Sequence, residues 1–476
     1  MARRLLILLL IAQVLTHLFW LSPSAHSGQV AIPWMMNQGS ALFDAIWEQH
    51  APGSSLLGAA AQRLLDIDPA LLVKLLNTLL VVALTVMVYW LAKMLAGSAW
   101  AGLLAALVWA WWEPVYGNVM LYFDTLLALC LLAALLIYFR SAERPSPRQI
   151  MLMGLLMGAA TLFKQHAWLA VAIAGCWLLL SERNLKVVLV FAAGALALPL
   201  LQWLTLLAQG SLESYIYWNW TFNLSGTMDG EPLDGDLLRK LLLSNLLVFP
   251  FALLALRGTR KSKLLLPLIW LATLVTLYPR FGEIHAMAHL PFAAVMSGLV
   301  LAKALPELPN WRDWDTPRLA LAGLSIGIGI GWLWTGAASY LHTPLGPGAI
   351  LAYDEFGALA AELKARKADG DTLFALPETD STPQLHPLTN MPAPGIWVKG
   401  WRWYFRPERV RQRLSAEWES APPTWIVVFP ALIRDDNIGI QALLAIVEAR
   451  YEQQFIGEEI YGHGRPEVYR LVTASQ

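Results

Sequence analysis

The chain has 476 residues, of which 57% are hydrophobic and only 14% are charged, and its 34 basic side chains are balanced by 34 acidic ones. An ordinary soluble domain carries about 25% charged residues, and the hydrophobic residues here fall in long runs, so the composition excludes a soluble globular protein and predicts a polytopic membrane protein. The zero net charge says nothing about nucleic acid, but the sequence has no basic domain that could hold it, which excludes nucleic acid as a partner.

The apolar runs predict about eleven α-helical membrane spans, because a span needs about 20 mostly apolar residues. These spans begin near residues 4, 69, 99, 120, 149, 167, 186, 237, 264, 286 and 318. The first run, within residues 1–28, has the basic start and small-residue exit of a signal peptide. Its length and the spans that follow favour an uncleaved first span.

The basic residues predict how the spans are oriented. Arg3 and Arg4 place the amino terminus in the cytoplasm, and alternation then puts the other clusters of basic residues inside as well. The opposite set of segments faces outward: residues 26–66, 112–124, 163–168, 209–236 and 278–285. Because every polar cluster lies in this set, the sequence predicts one active site on the extracytoplasmic side of the cytoplasmic (inner) membrane.

From about residue 341 the pattern changes from apolar runs to alternating helix-like and strand-like segments. The strand-like segments include DTLFAL, TWIVVFP and VYRLV, and the helix-like ones include PERVRQRLSAEWES and GIQALLAIVEARY. We therefore predict a transmembrane domain over residues 1–340 and an extracytoplasmic α/β domain over residues 341–476.

The first outer loop concentrates ionisable groups in LFDAIWEQH, residues 42–50. Asp44 and Glu48 lie four residues apart, as do Phe43 and Trp47, which predicts a short amphipathic helix along the membrane interface. A partly buried carboxylate there could deprotonate an acceptor hydroxyl, because burial raises its pKa. The alternative is the solvated face of an interfacial helix.

Asp124, in LYFDTLL, stands at the start of a predicted span. An acid inside the membrane usually faces a cavity or a partner, whereas at the interface it can cap a helix. Glu113, in WAWWEP, is assigned to an aromatic belt or a loop.

Lys164 and Arg280 are predicted outer-face cations, where the positive-inside trend expects few, and together they could bind a phosphate or diphosphate. His285 and His289 have the i, i+4 spacing of helix-borne zinc ligands, but the HExxH glutamate is missing. These two histidines could instead hydrogen-bond a substrate phosphate or serve only in helix packing. No cofactor is certain from the sequence, and a divalent metal held by His50, Glu48 and His285 is a further hypothesis.

The loop 209–236 interleaves aromatic residues with amides. Trp218, Asn219 and Trp220 are candidates for holding a sugar or acceptor, and an interfacial aromatic belt is the alternative. Glycines four residues apart, at 154 and 158 and at 323, 327 and 331, predict close helix packing.

The order of these segments resembles the membrane-embedded glycosyltransferases of the C-type fold, specifically bacterial relatives of the dolichyl-phosphate-mannose protein mannosyltransferases and of the lipid A aminoarabinose transferase. The matching stretches are IPWMMNQGSALFDAIWEQHAPGSSLL, YFDTLLAL, GAATLFKQHAW and YPRFGEIHAMAHLP. The resemblance implies an enzyme that moves a sugar, hexosyl or pentosyl, from a polyprenyl-phosphate carrier to a lipid, glycan or protein acceptor at the outer membrane face.

One departure from that family concerns the base. The first outer loop of the family commonly opens with an Asp-Glu pair whose aspartate is taken as the base, and here Gly28 and Gln29 stand at that place. The resemblance matches Asp44 to a later acid of the same loop and Asp124 to the acid of the second outer loop. Either one of these two or Glu48 takes the role of the base, or the protein binds the lipid carrier without the standard chemistry.

We expect a direct displacement in which Asp44, or failing that Asp124, removes the acceptor proton. Lys164 and Arg280 would offset the charge on the leaving polyprenyl phosphate. The alternative is a non-catalytic lipid-linked sugar binding protein, flippase or transporter. Transporters place ionisable groups near the membrane midplane and carry internal repeats, whereas here those groups cluster at one face.

Overall fold

Each predicted span coincides with helical structure, because long apolar segments satisfy their backbone hydrogen bonds internally as helices. The computed structural model describes residues 1–21, 27–117, 120–140, 145–257, 261–278, 280–304, 316–342, 356–379, 381–434, 436–460 and 462–472. Contacts divide the chain into two units. The first comprises Met1–Ser22, Lys74–Trp203 and Gly230–Gly348, and the second comprises Pro23–Val73, Leu204–Asp229 and Ala349–Gln476.

The described residues of the first unit form helices joined by turns and loops, and the loops include an isolated β-bridge between Glu231 and Arg280. The helices of this unit are α1 (Ala2–Phe19), α4 (Pro69–Ala96), α5 (Ala99–Trp112), α6 (Phe123–Phe139), α7 (Pro147–Thr161), α8 (Ala167–Glu182), α9 (Leu185–Ala208), α11 (Gly235–Ser244), α12 (Val248–Arg257), α13 (Leu265–Leu274), α14 (Leu290–Ala304) and α15 (Thr316–His342). The first turn of α4 and the last turn of α9 belong to the second unit. Three of them, α1, α4 and α9, are long and apolar enough to cross a membrane. The predicted span near residue 237 consists of two short helices, α11 and α12. The count of eleven spans stays a prediction.

Glycines allow α7 and α9 to pack closely, as the spacing of Gly154 and Gly158 predicts. A Cβ atom on Gly154 would lie 2.2 Å from the carbonyl oxygen of Phe191, and one on Gly158 would lie 2.3 Å from that of Ala195. The same prediction is wrong for two glycines of α15, Gly327 and Gly331, because a Cβ atom there would meet nothing within 4 Å among the described atoms. The surroundings of Gly323 lie outside the described residues.

The second unit combines helices with two small sheets. Its elements are α2 (Ser27–Asn37), β1 (Ile46–Trp47), α3 (Gly53–Leu64), α10 (Leu212–Ile216) continued by a π-helix (Tyr217–Phe222), α16 (Gly357–Arg366), β2 (Leu373–Leu376), α17 (Leu385–Thr389), β3 (Trp397–Val398), α18 (Glu408–Ser420), β4 (Trp425–Val428), α19 (Ile438–Arg450), β5 (Tyr451–Ile456) and β6 (Glu467–Leu471). The larger sheet has the order β2-β4-β6-β5, with β2 and β4 parallel and the other pairs antiparallel. Strands and helices thus occur in the segments after residue 356 whose patterns predict them. The predicted domain boundary near residue 341 adjoins residues 343–355, which lie outside the described residues.

The predicted amphipathic helix at residues 42–50 is wrong. This segment contains β1, which pairs in parallel with β3, so that Ile46 stands opposite Trp397 and Trp47 opposite Val398. Phe43 takes a positive φ of 75°, which a continuous helix does not allow. Both Phe43 and Trp47 are buried in an aromatic core, so tertiary pairing overrides the local four-residue spacing.

Candidate functional site

A buried ion pair in the first unit joins two of the predicted site residues. Asp124 lies in the first turn of α6, and Lys164 lies in the turn between α7 and α8. The Nζ atom of Lys164 is 2.9 Å from Oδ1 and 2.8 Å from Oδ2 of Asp124, and both side chains are buried. Asp124 therefore has a partner in the protein, as expected of an acid within a membrane protein, and both of its oxygens are occupied by one ammonium group.

His285 completes this cluster. It lies in a short 3-10 helix (Glu283–Ala286), where its Nδ1 atom is 3.4 Å from Nζ of Lys164 and 3.8 Å from Oδ2 of Asp124. Burial and the positive charges of Lys164 and Arg280 lower the pKa of His285, against the opposing effect of Asp124. The imidazole is therefore neutral at pH 7, beside two cations.

His166 belongs to the same electrostatic environment. Burial, together with the charge of Lys164, lowers its pKa to about 4, so that this imidazole is also neutral at pH 7. The cluster of Asp124, Lys164, His166 and His285, called the lysine cluster below, thus combines one carboxylate, one ammonium and two neutral imidazoles.

The other two predicted phosphate-binding residues make different contacts in the same unit. Arg280 forms an ion pair with Glu231, and its charge still acts on His285. His289 contacts other residues: its Nε2 atom is 3.0 Å from Nδ2 of Asn245, and its ring packs edge-on against Tyr116. The structure therefore brings Lys164, Arg280 and His285 into one electrostatic neighbourhood and gives His289 a separate network.

Glu113 is the clearest residue that sequence reasoning missed. It lies in the connection that follows α5, where it is fully buried, and its Oε1 atom lies 2.5 Å from Nε2 of His17 in α1, so it is a buried, paired acid and not part of an interfacial belt. A histidine within the first apolar run was the available signal, because a polar group placed there needs a partner.

Asp44, in the second unit, is held by two serines of the loop 209–236. Its Oδ1 atom accepts a 2.5 Å hydrogen bond from the Ser214 hydroxyl, and its Oδ2 atom accepts one from Ser211. The Asp44 side chain is partly exposed. It therefore remains accessible while its orientation is fixed.

Glu48 has a different environment. It is buried, its Oε2 atom lies 2.7 Å from Nζ of Lys399, and its Oε1 atom bonds His50 Nδ1. Burial raises the pKa of Glu48, but the positive charge of Lys399 and the contacts with His50 outweigh it and hold the pKa well below its usual range. Glu48 is therefore a weaker base than its burial alone predicts. Lys399 follows β3 and reaches Glu48 because β3 pairs with β1, a contact that no local pattern reveals.

The predicted metal ligands do not fit a metal ion in this geometry. Both carboxylate oxygens of Glu48 are engaged by His50 and Lys399, and an ammonium group already supplies the positive charge that a cation would bring. Across the described ranges, no group of three or more His, Cys, Asp or Glu side chains is arranged to hold a metal. His285 belongs instead to the lysine cluster, beside Lys164 and Asp124.

The three predicted sugar-binding residues lie in the π-helix, and two of them contact the segment that carries Asp44 and Glu48. Trp218 is buried, with its ring centroid 5.2 Å from that of Trp47. Asn219 donates a 3.0 Å hydrogen bond to the carbonyl of His50, and Trp220 is half-buried against the same core. Their role in sugar binding stays a prediction.

Comparison with known proteins identifies the fold. A family model described as dolichyl-phosphate-mannose-protein mannosyltransferase matches residues 49–205. The chain is similar in structure to ArnT from Cupriavidus metallidurans in the apo state, with a TM-score of 0.62 and 14% identity over 99% of this chain and 98% of that chain. The chain thus has the C-type fold of membrane glycosyltransferases, and the resemblance drawn from the sequence is confirmed.

Two liganded structures share this fold. ArnT bound to undecaprenyl phosphate matches with a TM-score of 0.62 and 13% identity over 99% of this chain and 98% of that one. The oligosaccharyltransferase AglB from Archaeoglobus fulgidus, in complex with an inhibitory peptide and a dolichol-phosphate, matches with a TM-score of 0.57 and 13% identity over 98% of this chain and 74% of that one. No curated protein sequence matches the chain.

Proposed function

We propose that this protein is a glycosyltransferase that moves a sugar from a polyprenyl-phosphate carrier to a lipid, glycan or protein acceptor. The observation that carries the proposal is the lysine cluster, a buried ammonium group flanked by neutral imidazoles, in a chain with the C-type fold. The solved relatives bound to undecaprenyl phosphate and dolichol-phosphate support a lipid-linked donor. The transferred sugar is a hexosyl or pentosyl group.

Lys164 is the proposed anchor of the donor phosphate, with His285 and Arg280 as further donors. Asp124 orients the ammonium group through two short contacts. When the bond between the anomeric carbon and the phosphate oxygen breaks, its electron pair stays on the phosphate. Lys164 and Arg280 then stabilise the added charge, which is the kind of electrostatic effect that dominates such catalysis. His289, whose contacts are with Asn245 and Tyr116, is a weaker candidate for binding the donor phosphate.

Asp44 is the proposed general base. Asp124 is less suited to the role because both of its oxygens contact Lys164, and Glu48 is less suited because Lys399 and His50 lower its basicity. Asp44 is partly exposed and is held by neutral hydroxyls. In the proposed step, it takes the proton of the acceptor hydroxyl as that oxygen attacks the anomeric carbon.

The proposed setting is the cytoplasmic (inner) membrane, with eleven spans over residues 1–340. The lysine cluster, the first outer loop and the domain from residue 341 would face the extracytoplasmic side. This orientation rests on the distribution of Arg and Lys among the loops.

Transfer of radiolabelled sugar from a panel of hexosyl and pentosyl polyprenyl-phosphate donors to membrane acceptors tests the proposal. We expect the wild-type protein to form labelled product and Lys164→Met to lose both donor binding and transfer. If the carrier binds but no donor yields product, the transferase proposal fails and a lipid-linked sugar binding protein, flippase or transporter takes its place.

A further inference from the structure

The segment 402–413, RWYFRPERVRQR, carries five arginines. Those in its first half have acidic partners within the second unit: Arg402 forms ion pairs with Asp229 and Asp436, and Arg406 forms one with Asp229. Arg411 instead donates to the backbone carbonyl of Phe405. These three side chains tie neighbouring segments together.

Arg409 and Arg413 differ from them. They lie one turn apart in α18, so they share a face of that helix, and both are exposed. Within the described part of the chain, neither guanidinium has an ion-pair or hydrogen-bond partner. Each is instead placed over an aromatic ring, with Arg409 Cζ 3.2 Å from the centroid of the Tyr217 ring and Arg413 Cζ 5.4 Å from that of Trp47.

Stacking on a ring leaves the in-plane N–H groups of a guanidinium directed outward. Two such groups, side by side on one helix face, match the oxygens of a phosphate, which arginine binds through paired hydrogen bonds. Glu408, the acid next to Arg409, accepts a hydrogen bond from Gln412. The Arg409–Arg413 pair therefore presents positive charge and unused donors at the same place.

The chain near Tyr217 adjoins a candidate membrane span. The candidate span α9 ends at Ala208, and α10 begins four residues later at Leu212. Tyr217 directly follows α10, about 8 Å along the helix axis from Leu212. Its neighbour Ile216 is 47% exposed, and Leu224 after the π-helix is 81% exposed. Exposed apolar side chains next to aromatic rings and arginines are the composition of a membrane interface.

We propose that Arg409 and Arg413 form a binding site for the phosphate group of an anionic membrane lipid. The site is distinct in its residues from the lysine cluster and does not depend on the proposed transferase activity. The rings of Tyr217 and Trp47 hold the guanidiniums in place, and the lipid chains lie toward Ile216.

Binding of dioctanoyl phosphatidic acid to the purified full-length protein in detergent tests this site, with dioctanoyl phosphatidylcholine and inorganic phosphate as comparison ligands. We expect phosphatidic acid to bind more tightly than either. The double variant Arg409→Gln/Arg413→Gln should weaken phosphatidic acid binding about tenfold or more, because two charge-assisted contacts are lost. Unchanged binding by the double variant overturns the proposal, and equal affinity for inorganic phosphate overturns the assignment to a lipid.

Three further variants control the experiment. Arg470→Gln removes a guanidinium that also stacks on an indole, 5.0 Å from the Trp425 ring, and should bind like wild type. Arg409→Lys/Arg413→Lys keeps the charge but not the paired geometry and should fall between the wild type and the glutamine variant. The double variant Asp124→Asn/Lys164→Met, which leaves no buried charge without a partner, should bind phosphatidic acid normally; loss of binding there would place the ligand at the lysine cluster and overturn the assignment to Arg409 and Arg413.

Discussion

Lys164 donates to both carboxylate oxygens of Asp124, at 2.9 and 2.8 Å, and both side chains are buried. The contact joins two segments that the distribution of basic residues assigns to the same side of the membrane. Removing one partner of such a pair is much more costly than removing both, because it leaves an uncompensated buried charge. Asp124 and Lys164 should therefore behave as one unit in mutagenesis.

Lys164→Met should lower the free energy of unfolding by about 3–5 kcal/mol, since Asp124 would stay buried without its counter-charge. The double variant Asp124→Asn/Lys164→Met should recover much of that stability but none of the sugar transfer. Thermal unfolding in detergent, measured alongside the transfer assay, checks both expectations. A single variant as stable as the wild type would contradict the coupling.

Asp44→Asn should reduce sugar transfer by about 100-fold or more, the range that a general base contributes, while binding of the polyprenyl-phosphate donor stays near the wild-type level. The amide cannot take a proton but can keep a hydrogen bond with Ser214. Asp66→Asn, an exposed acid of the same predicted outer loop, is the matched control and should transfer normally. Full activity of Asp44→Asn would show that another residue is the general base.

Acid should destabilise the protein partly through Glu48. Its pKa in the folded protein lies below the ordinary value of 4.5, so its ionised form contributes stability above that pH, and the contribution is lost as the pH falls toward the folded-state pKa. We expect the Tm to decline progressively as the pH falls below about 5, and Glu48→Gln to show a lower Tm at pH 7 with a shallower decline. Glu419→Gln, at an exposed position, should follow the wild-type curve.

Gly154→Ala should destabilise the packing of α7 on α9 by about 1–3 kcal/mol, because the new methyl group would overlap the Phe191 carbonyl. Gly327→Ala is the matched control in another apolar helix. Among the described atoms, none lies within 4 Å of a Cβ atom at that position, so the alanine should be neutral or stabilising by about 0.5–1 kcal/mol. The free energies of unfolding of both variants check the difference. Equal values would show that the close approach at Gly154 does not affect stability.

Sequence reasoning succeeded where a local pattern decides the structure. The apolar runs are helical, and segments such as TWIVVFP contain strands because a continuous apolar run between turns suits a buried strand. It failed at residues 42–50, where a four-residue spacing predicted a helix and pairing with Trp397 and Val398 imposed a strand. That pairing joins distant parts of the chain, so no local window contains its cause.

Some residues of the candidate site could be predicted from the sequence, and others could not. Asp124, Lys164 and His285 could be named because ionisable groups are conspicuous among apolar residues, and the basic loops predict a common side of the membrane for them. Lys399 could not be named as the partner of Glu48, because it lies in a polar segment where lysine is unremarkable. Ser211 and Ser214 were missed for a related reason, since a serine in a loop carries no signal of the carboxylate that it contacts.

The pairing of β1 with β3 also constrains how the chain is threaded through the bilayer. Backbone hydrogen bonds join Ile46 and Trp47 to Trp397 and Val398, so both strands must emerge into the same aqueous compartment. The chain must then cross the membrane an even number of times between them. All predicted spans but the first begin between residues 69 and 318, which makes ten crossings. With this predicted count, a variant in which one of the ten segments no longer crossed the membrane would have β1 and β3 on opposite sides of it, where they could not pair.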